Sequence, residues 1–513
     1  MPIGAALAWD DDRCEVTVIS RGEDTYLVSA RIRDRKPRRQ QARVGAPDAA
    51  LTANAGLAAI SELCGRLGVT GAIDAAAGPI KQRDRGFSAG ELLTGIAAAQ
   101  LAGEDFLAGL DRQRADAAGQ QITPVPGLSS TTAAGLARRI APAQWQAVET
   151  GLAVVTERML GLLPPERAAA LAEGPVTIDL DTTDVEVYGR KKRGVAYNHQ
   201  GQRVGRPHVA TWAETEIVLA ADLGSGTDDP RATAPALLRR ALACLPAAAR
   251  AGGKVAVRAD AGYFAGALAR AAHDERITFA IGAKRIAPLW RLLSGIADGD
   301  WHDAIDMEHA QVAVADYCPD WWPATTRLLI RRVRLDPAQV SADPRSRRRR
   351  TLHPDQRALP FPELAAEPAI YGYSFILTNL DVTAPDKTAA AEHWYRHRTT
   401  VENVFRDSKH GAALRHLPSG YVKVNMAWMW GALLAACMAG WLHQLTARTC
   451  GEDRTEGHGV RGGKAMIATL RWRLISIPGR LVRHAGRLIL RLPPGRHLLA
   501  EVLARLRALP AMP

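Results

Sequence analysis

Three aspartates stand at or near the ends of two strand-like runs, where carboxylates are suited to holding divalent metal ions. Asp179 and Asp181 lie in VTIDLDTTDV, and Asp260 ends KVAVRAD. Strand side chains alternate between two faces, so Asp179 and Asp181 share a face that would otherwise be apolar. Two divalent ions about 3.5–4 Å apart, held by carboxylates from separate elements, can activate water and cleave a phosphodiester. The alternative for any one of these acids is a turn or capping residue.

A fourth acid lies in a helical segment with a polar stripe. Residues 389–412 contain no proline and are expected to form one helix. At 100° per residue, four polar side chains project within a stripe about 60° wide. These four are Tyr395, Arg398, Glu402 and Lys409. The stripe places a carboxylate beside phosphate-binding donors, and the alternative is a solvated face of ion pairs.

The spacing Y-x2-R-x3-E-x6-K of that stripe resembles the signature of DDE transposases of bacterial insertion sequences. DTT at 181–183 and RADAGYF at 258–264 are similar to the first two acidic motifs of that family, and much of 175–445 resembles it. The stretch 181–214 further resembles the insertion-sequence group called thirteen-eighty.

The resemblance implies a role for each motif residue. Asp181, Asp260 and Glu402 would be the catalytic acids and would hold two Mg²⁺ ions, with Mn²⁺ as an alternative ion. Tyr395, Arg398 and Lys409 would contact DNA near the cleaved end. Asp179 and Asp184 remain alternatives for the first acid.

The expected elements around the acids indicate an α/β protein with a ribonuclease H-like catalytic core. From residue 175 the pattern is βββαβαβ, which is typical of that fold. A mostly helical DNA-binding domain is expected before the core, a β-rich insertion within it and a basic extension after it. The predicted parts are a basic arm at 1–48, the helical domain at 49–172, the core at 173–283 and 387–450, the insertion at 284–386 and the extension at 451–513.

The charge balance predicts a polyanionic partner. Lys and Arg number 66 against 53 Asp and Glu, a formal net charge of +13, and basic proteins of this kind commonly bind nucleic acid. Basic residues concentrate in the arm, in RSRRRR at 345–350 and in the extension, where RLVRHAGRLILRL predicts a hairpin turning at 484–486. The alternative for each basic segment is a solvated surface.

Further DNA contacts are expected outside the stripe. Ser129 or Ser130 is expected to cap a short helix that presents Arg138 and Arg139, as a DNA-reading helix would, although capped helices also occur in packed bundles. Arg190, Lys191 and Lys192 are also expected to bind DNA. Two tryptophans of the insertion, Trp321 and Trp322, could stack on a flipped base or pack in the core.

Other classes of protein are not supported. The six cysteines form no C-x-x-C pair, and neither GGK sequence has the remaining residues of a P-loop. The uncharged run 426–442 is near the lower length of about 17 residues for a membrane span, but its alanines and glycines favour a buried helix. The amino terminus lacks a secretory signal, so we expect a cytoplasmic, nucleoid-associated protein with no membrane partner.

Together these features predict a DNA transposase of the cut-and-paste type. It would cleave strands at transposon ends and transfer them into target DNA, acting as a homodimer on terminal inverted repeats. A catalytically inactive repeat-binding protein would keep the basic regions but would not need the acids. A host ribonuclease H-like nuclease or resolvase would keep the acids but would not need the insertion or the stripe.

Overall fold

The computed structural model describes residues 42–83, 85–367, 369–450, 454–460, 463–495 and 497–510. Most of the predicted basic arm, including its cluster at 31–39, therefore lies outside the described residues, as do Arg461 and Arg496 of the extension. The chain divides into two units, Met1–Asp48 and Ala49–Pro513, and the second contains all the helices and strands below.

The helices are α1 Leu57–Leu67, α2 Val69–Ala77, α3 Ala89–Leu101, α4 Ala108–Ala115, α5 Ser130–Ala137, α6 Pro142–Gly161, α7 Pro165–Glu173, α8 Pro230–Cys244, α9 Ala247–Ala251, α10 Ala267–Asp274, α11 Ala287–Leu292, α12 Pro354–Ala358, α13 Phe361–Ala366, α14 Pro385–Arg396, α15 Thr399–Gly411, α16 Val422–Thr446, α17 Ile467–Leu470 and α18 Leu498–Ala508. The strands are β1 Leu51–Thr52, β2 Val176–Thr182, β3 Val185–Glu186, β4 Ala196–Tyr197, β5 Arg203–Trp212, β6 Ile217–Ser225, β7 Val255–Ala259, β8 Thr278–Gly282, β9 His302–Asp303, β10 Ala310–Ala315, β11 Arg327–Leu335, β12 Ile370–Thr378, β13 Arg448–Cys450, β14 Arg454–Glu456, β15 Gly479–His484 and β16 Arg487–Arg491.

A large mixed sheet organises the core. Its first five strands lie in the order β6-β5-β2-β7-β8. Strands β6, β5 and β2 are antiparallel neighbours, whereas β2, β7 and β8 run parallel. Helix α8 leads from β6 to β7 and α10 leads from β7 to β8, as parallel strands require a crossover. The protein is thus a mixed α/β protein whose sheet is consistent with the expected ribonuclease H-like core.

The β-rich insertion continues this sheet, which the sequence analysis did not anticipate. Strand β12 pairs antiparallel with β8, and β11, β10 and β9 follow outward in that order. Pairing with β12 satisfies the backbone groups that β8 would otherwise expose at a sheet edge. In the basic run at 345–350, Arg349 is buried and donates to the carbonyl oxygens of Ala342, Arg357 and Leu359, so it is not a solvated charge.

The long apolar helix α16 lies in the interior, as expected for 426–442. By length and composition it could cross a membrane, but 83% of its most apolar window is buried inside the protein. It packs on α3, where Gln100 Nε2 donates to the Trp428 carbonyl at 3.2 Å. A Cβ at Gly431 would lie 2.4 Å from Ile96 Cγ2, so this close helix contact requires glycine.

The carboxyl-terminal extension forms the predicted hairpin. Strands β15 and β16 pair antiparallel, and the turn at Ala485 and Gly486 has positive φ angles of 48° and 74°. Strand β1 pairs with β15, and α18 packs on α1. The two ends of this unit are therefore joined in one small sheet and a helix pair.

A buried carboxylate joins the helical region to the large sheet. Glu149 of α6 is 2% exposed. It accepts hydrogen bonds from the Ala221 amide of β6 at 3.1 Å and from Arg240 Nε of α8 at 3.0 Å. Burial raises the pKa of Glu149 to about 7, and Arg240 opposes that rise.

We expect this raised pKa to appear in the pH dependence of stability. The folded state binds the Glu149 proton more tightly than the unfolded state, so this stabilisation is present below pH 4.5 and is lost as the pH rises to about 7. The thermal midpoint of the wild type, measured relative to that of Glu149→Gln, should fall over that range and level off above it. Glu166→Gln, at an exposed position in α7, is the control. A wild-type to Glu149→Gln difference that stays constant with pH would contradict the expectation.

Candidate active site

The parallel pairing of β2 with β7 brings two of the predicted acids to one edge of the sheet. Leu180 is the register partner of Ala259, and Asp181 and Asp260 are the next residues along each strand. Neighbouring strands lie about 4.8 Å apart, so these two carboxyl groups leave adjacent backbone positions. Burial raises the pKa of Asp181 to about 6; Arg398 opposes the rise and the negative charge of Asp260 adds to it.

The strand end that carries Asp260 is held from two sides. Asp260 Oδ1 accepts the Gly262 amide at 2.7 Å and so caps a short turn at Ala261–Tyr263. The Tyr395 hydroxyl of α14 donates to the Ala259 carbonyl at 3.1 Å. Burial raises the pKa of Tyr395 to about 12, which keeps this hydroxyl protonated and able to donate.

The expected single helix over 389–412 is wrong at two residues. Helix α14 ends at Arg396 and α15 begins at Thr399, and His397 and Arg398 between them have ψ angles of 15° and −3°. Regular α-helix has ψ near −42°, so these residues interrupt it. Thr399 and Thr400 follow, and β-branched residues of this kind have lower helix propensity.

Arg398, at this interruption, lies between two of the predicted acids. Its Nη1 is 3.1 Å from Asp181 Oδ2 and its Nη2 is 3.5 Å from Glu402 Oε1. Asp181 and Arg398 side chains are each 15% exposed, whereas that of Glu402 is 58% exposed. Burial alone would lower the pKa of Arg398, but Asp181 and its neighbours outweigh burial and raise that pKa above its ordinary value.

The three predicted acids carry the donor atoms that a hard divalent cation prefers, but in this structure they are not grouped closely enough to hold one. Asp181, Asp260 and Glu402 offer carboxylate oxygens, which Mg²⁺ prefers, and a cationic side chain already lies between two of them. In the described part of the chain, no group of three or more His, Cys, Asp or Glu side chains lies close enough together to hold a metal ion. Arg398 provides the positive charge between Asp181 and Glu402.

The two alternative first acids are engaged elsewhere. Asp179 is fully buried and pairs with Arg258 through contacts of 2.7 and 2.8 Å. Asp184 accepts from Arg206 Nε at 2.7 Å and from Asn198 Nδ2 at 2.8 Å. The Asp179 carboxylate is therefore paired with one arginine, and the Asp184 carboxylate is bound by an arginine and an asparagine.

Lys409, the last residue of the stripe, contacts the same sheet region. Its Nζ donates to the Asp184 carbonyl at 2.8 Å. Burial lowers the pKa of Lys409, and the Asp184 carboxylate opposes this. Tyr395, Arg398 and Lys409 thus contact the backbone or side chains of the β2 and β7 ends, although a helix interruption separates Tyr395 from the others.

The expected outer DNA contacts lie mostly at the surface. Arg190 and Lys191 are exposed, while Lys192 Nζ donates to the Leu417 carbonyl. Arg138 is exposed and lies over the Tyr421 ring at 5.1 Å, and Arg139 is exposed.

The structure also shows the positions of the expected serine-capped helix and of the two tryptophans of the insertion. Ser129 caps α5 by accepting the Thr132 amide at 3.1 Å, as predicted. Trp322 is buried, which favours core packing, and Trp321 is 54% exposed.

Gly282 is a further residue of this site, and its role was not predicted from the sequence. A Cβ there would lie 2.8 Å from the Ala261 amide nitrogen and 2.6 Å from the Tyr395 hydroxyl oxygen. Only glycine allows the end of β8 to approach the segment that follows Asp260. A glycine ending a run of strand-forming residues, as in ITFAIG, is the sequence signal that could have indicated it.

Substitutions should separate the roles of Asp179 and Asp181. Asp179→Asn leaves Arg258 without its partner in the interior, so the free energy of unfolding should fall by about 3–5 kcal/mol. Asp181→Asn leaves Arg398 its second carboxylate, Glu402, so the loss should stay within about 1 kcal/mol. Denaturant unfolding of both variants measures this, and equal losses would contradict the assigned roles.

Gly282→Ala should disturb the Asp260 segment. The added methyl forces backbone shifts, and overpacking of this kind costs about 1–3 kcal/mol. Gly295→Ala is the matched control, because a Cβ there meets no atom within 4 Å. Denaturant unfolding should show a loss for the first variant and none for the second.

The chain matches the family model described as transposase DDE domain group 1 over residues 36–341 and 364–511. No curated protein matches it. Among solved structures, a cryo-EM structure of the piggyBac transposase synaptic complex with hairpin DNA is similar over 77% of this chain and 76% of that chain, with 9% sequence identity and a TM-score of 0.37.

The family match covers most of the chain. DDE transposases are phosphoryl-transfer enzymes of DNA transposition and generally use divalent metals. The chain therefore belongs to the DDE transposases, in transposase DDE domain group 1.

Proposed function

We propose that this protein cleaves DNA strands at transposon ends and transfers them into target DNA, with Asp181, Asp260 and Glu402 as its catalytic acids. The observation that carries the proposal is the juxtaposition of Asp181 and Asp260 on adjacent parallel strands, with Arg398 between Asp181 and Glu402. All three candidate first acids pair with an arginine, but the arginine of Asp181 also contacts Glu402, whereas Asp179 and Asp184 pair with Arg258 and Arg206.

The three acids would hold two Mg²⁺ ions, or Mn²⁺ in their place. When bound, such ions would supply the positive charge that activates water and stabilises the oxygens of the phosphodiester. Asp260 is oriented for this by the Gly262 amide and Asp181 by the Thr182 amide, at 2.7 and 2.8 Å. These backbone donors fix one oxygen of each carboxylate, and the second oxygen of Asp181 is held by Arg398.

Arg398 and Lys409 would bind the DNA backbone once it enters the site. A guanidinium released from Asp181 can form two hydrogen bonds with a phosphate, which suits the scissile strand. Lys409, partly buried beside the same strand ends, adds a compact charge with a fixed direction. Tyr395 positions the Asp260 strand end through Ala259, and we propose that it also lies near the cleaved end of the DNA.

The wider proposal follows the sequence resemblance. The core would be ribonuclease H-like, the element would belong to the thirteen-eighty group, and a homodimer would hold two terminal inverted repeats and the target DNA. Arg138, Arg139, Arg190, Lys191 and Lys192 would contribute outer DNA contacts. The protein would act in the cytoplasm, at the bacterial nucleoid.

Strand cleavage should depend on each acid separately. Asp260→Ala and Glu402→Gln should each lower the cleavage rate of labelled end DNA with Mg²⁺ by at least about 100-fold, because even losing a group that supports a metal ligand costs 10- to 100-fold. Binding of the same DNA, measured by fluorescence anisotropy, should change little. Glu308→Gln, an exposed acid in the insertion, is the control.

Comparable cleavage by Asp260→Ala would refute the assignment of the acids. Absence of cleavage by the wild type, together with tight binding of end DNA, would instead identify an inactive repeat-binding protein.

A further inference from the structure

We propose that the outer face of the β15–β16 hairpin binds the phosphate backbone of duplex DNA, separately from the candidate acids. We call this face the basic ribbon; it consists of Arg480, Val482, His484, Arg487, Ile489 and Arg491. The inference rests on the proposed function for its choice of partner. The basic ribbon belongs to the three-stranded sheet β1-β15-β16, not to the sheet that carries Asp181 and Asp260.

The strand register places the basic side chains together. Arg480 opposes Arg491, Val482 opposes Ile489 and His484 opposes Arg487. Cross-strand partners project from one face, and alternate pairs share that face. The basic ribbon therefore presents an arginine pair at one end, His484 and Arg487 at the other, and an apolar pair in its middle, where Ile489 is 38% exposed.

The opposite face of the hairpin fixes the basic ribbon to the protein. Leu481 is buried against Ala118 and Ile122. Leu481, Leu488 and Leu490 also line a cavity of about 410 Å³ with the leucines of α18. Since this apolar face points inward, the arginines of the other face point away from the protein.

Two charges of the basic ribbon, those of Arg487 and Arg491, lack compensation within the described part of the chain. Like charges directly opposite each other on neighbouring strands are unfavourable, and Arg491 lies opposite Arg480. Arg487 and Arg491 are exposed, and within the described ranges neither side chain makes a hydrogen bond or ion pair. Such an arrangement suits a polyanion that neutralises both arginines.

The dimensions match a DNA backbone. Arg487 and Arg491 are four residues apart on β16, which corresponds to about 13 Å, or about four base pairs at 3.4 Å each. A two-stranded ribbon also fits within the major groove, which is about 12 Å wide. Regular phosphates can therefore meet both arginines without bending of the hairpin.

Salt-dependent binding of the full-length protein to a random-sequence 30-base-pair duplex tests the proposal. Arg487→Ala and Arg491→Ala should each weaken binding several-fold at 0.1 M salt and lower the slope of log Kd against log salt by about 0.9, because each phosphate contact releases about that many counterions. The matched control is Arg483→Ala, which removes one charge from the same hairpin but from the inner face, where Arg483 donates to Gln121 Oε1 at 3.1 Å. Its slope should equal that of the wild type.

A conservative variant separates lost contacts from misfolding. Arg487→Lys should keep the wild-type slope, and all variants should keep the wild-type thermal midpoint. Slopes for Arg487→Ala and Arg491→Ala equal to those of the wild type or of Arg483→Ala would overturn the proposal.

The cleavage assay distinguishes this inference from the proposed function. At saturating end DNA and with Mg²⁺, the ribbon variants should cleave at the wild-type rate, since the ribbon contributes binding and not chemistry. Loss of cleavage by Asp260→Ala, with salt slopes of Arg487→Ala and Arg491→Ala equal to that of the wild type, would support the proposed function and reject DNA binding by the basic ribbon. Reduced slopes for Arg487→Ala and Arg491→Ala, together with no cleavage by the wild type, would support DNA binding by the basic ribbon and reject the proposed function.

Discussion

A buried ion pair joins the elements on which the candidate site depends. Asp179 lies on β2, Arg258 lies on β7, and their side chains meet in two short hydrogen bonds with almost no exposure. Arg258 also donates to the Trp394 carbonyl of α14 and lies 5.0 Å from the Trp394 ring centroid. Because a buried charge without its partner is strongly destabilising, this contact fixes β2, β7 and α14 relative to one another. Asp181, Asp260 and Tyr395 then take their positions from elements that cannot shift independently.

The same region balances its acids with its own arginines. Asp179 forms an ion pair with Arg258, Asp184 with Arg206 and Asp181 with Arg398. The three pairs differ in access to solvent: Asp179 is fully buried, while Asp184 is 28% exposed and Asp181 is 15% exposed. Asp181 also shares its arginine with the exposed Glu402, whereas the Asp179–Arg258 pair lies in the interior.

The regions around the core are tied to it. The insertion continues the large sheet through β12, Glu149 links α6 to β6 and α8, and the hairpin of the extension pairs with β1 near the start of the helical region. Substitutions in these regions are therefore expected to affect stability as well as DNA binding. The basic ribbon is an exception, because its arginines point outward from an apolar base.

The amino-acid sequence by itself determined the local elements and the identity of the acidic motifs. Hydrophobic periodicities of two and of 3.6 residues predict where strands and helices lie to within a few residues. The elements β2, β7, α8 and α16 and the hairpin turn were therefore predictable. Tertiary structure decided what depends on distant partners: Asp179 is a positioning residue because Arg258 lies opposite it, and Gly282 matters because the Asp260 segment approaches it. It also decided the partner of Arg398, whose guanidinium contacts Asp181 from 217 positions away in the chain. Sequence spacing cannot encode such contacts, because they arise only when strands far apart in the chain pair side by side.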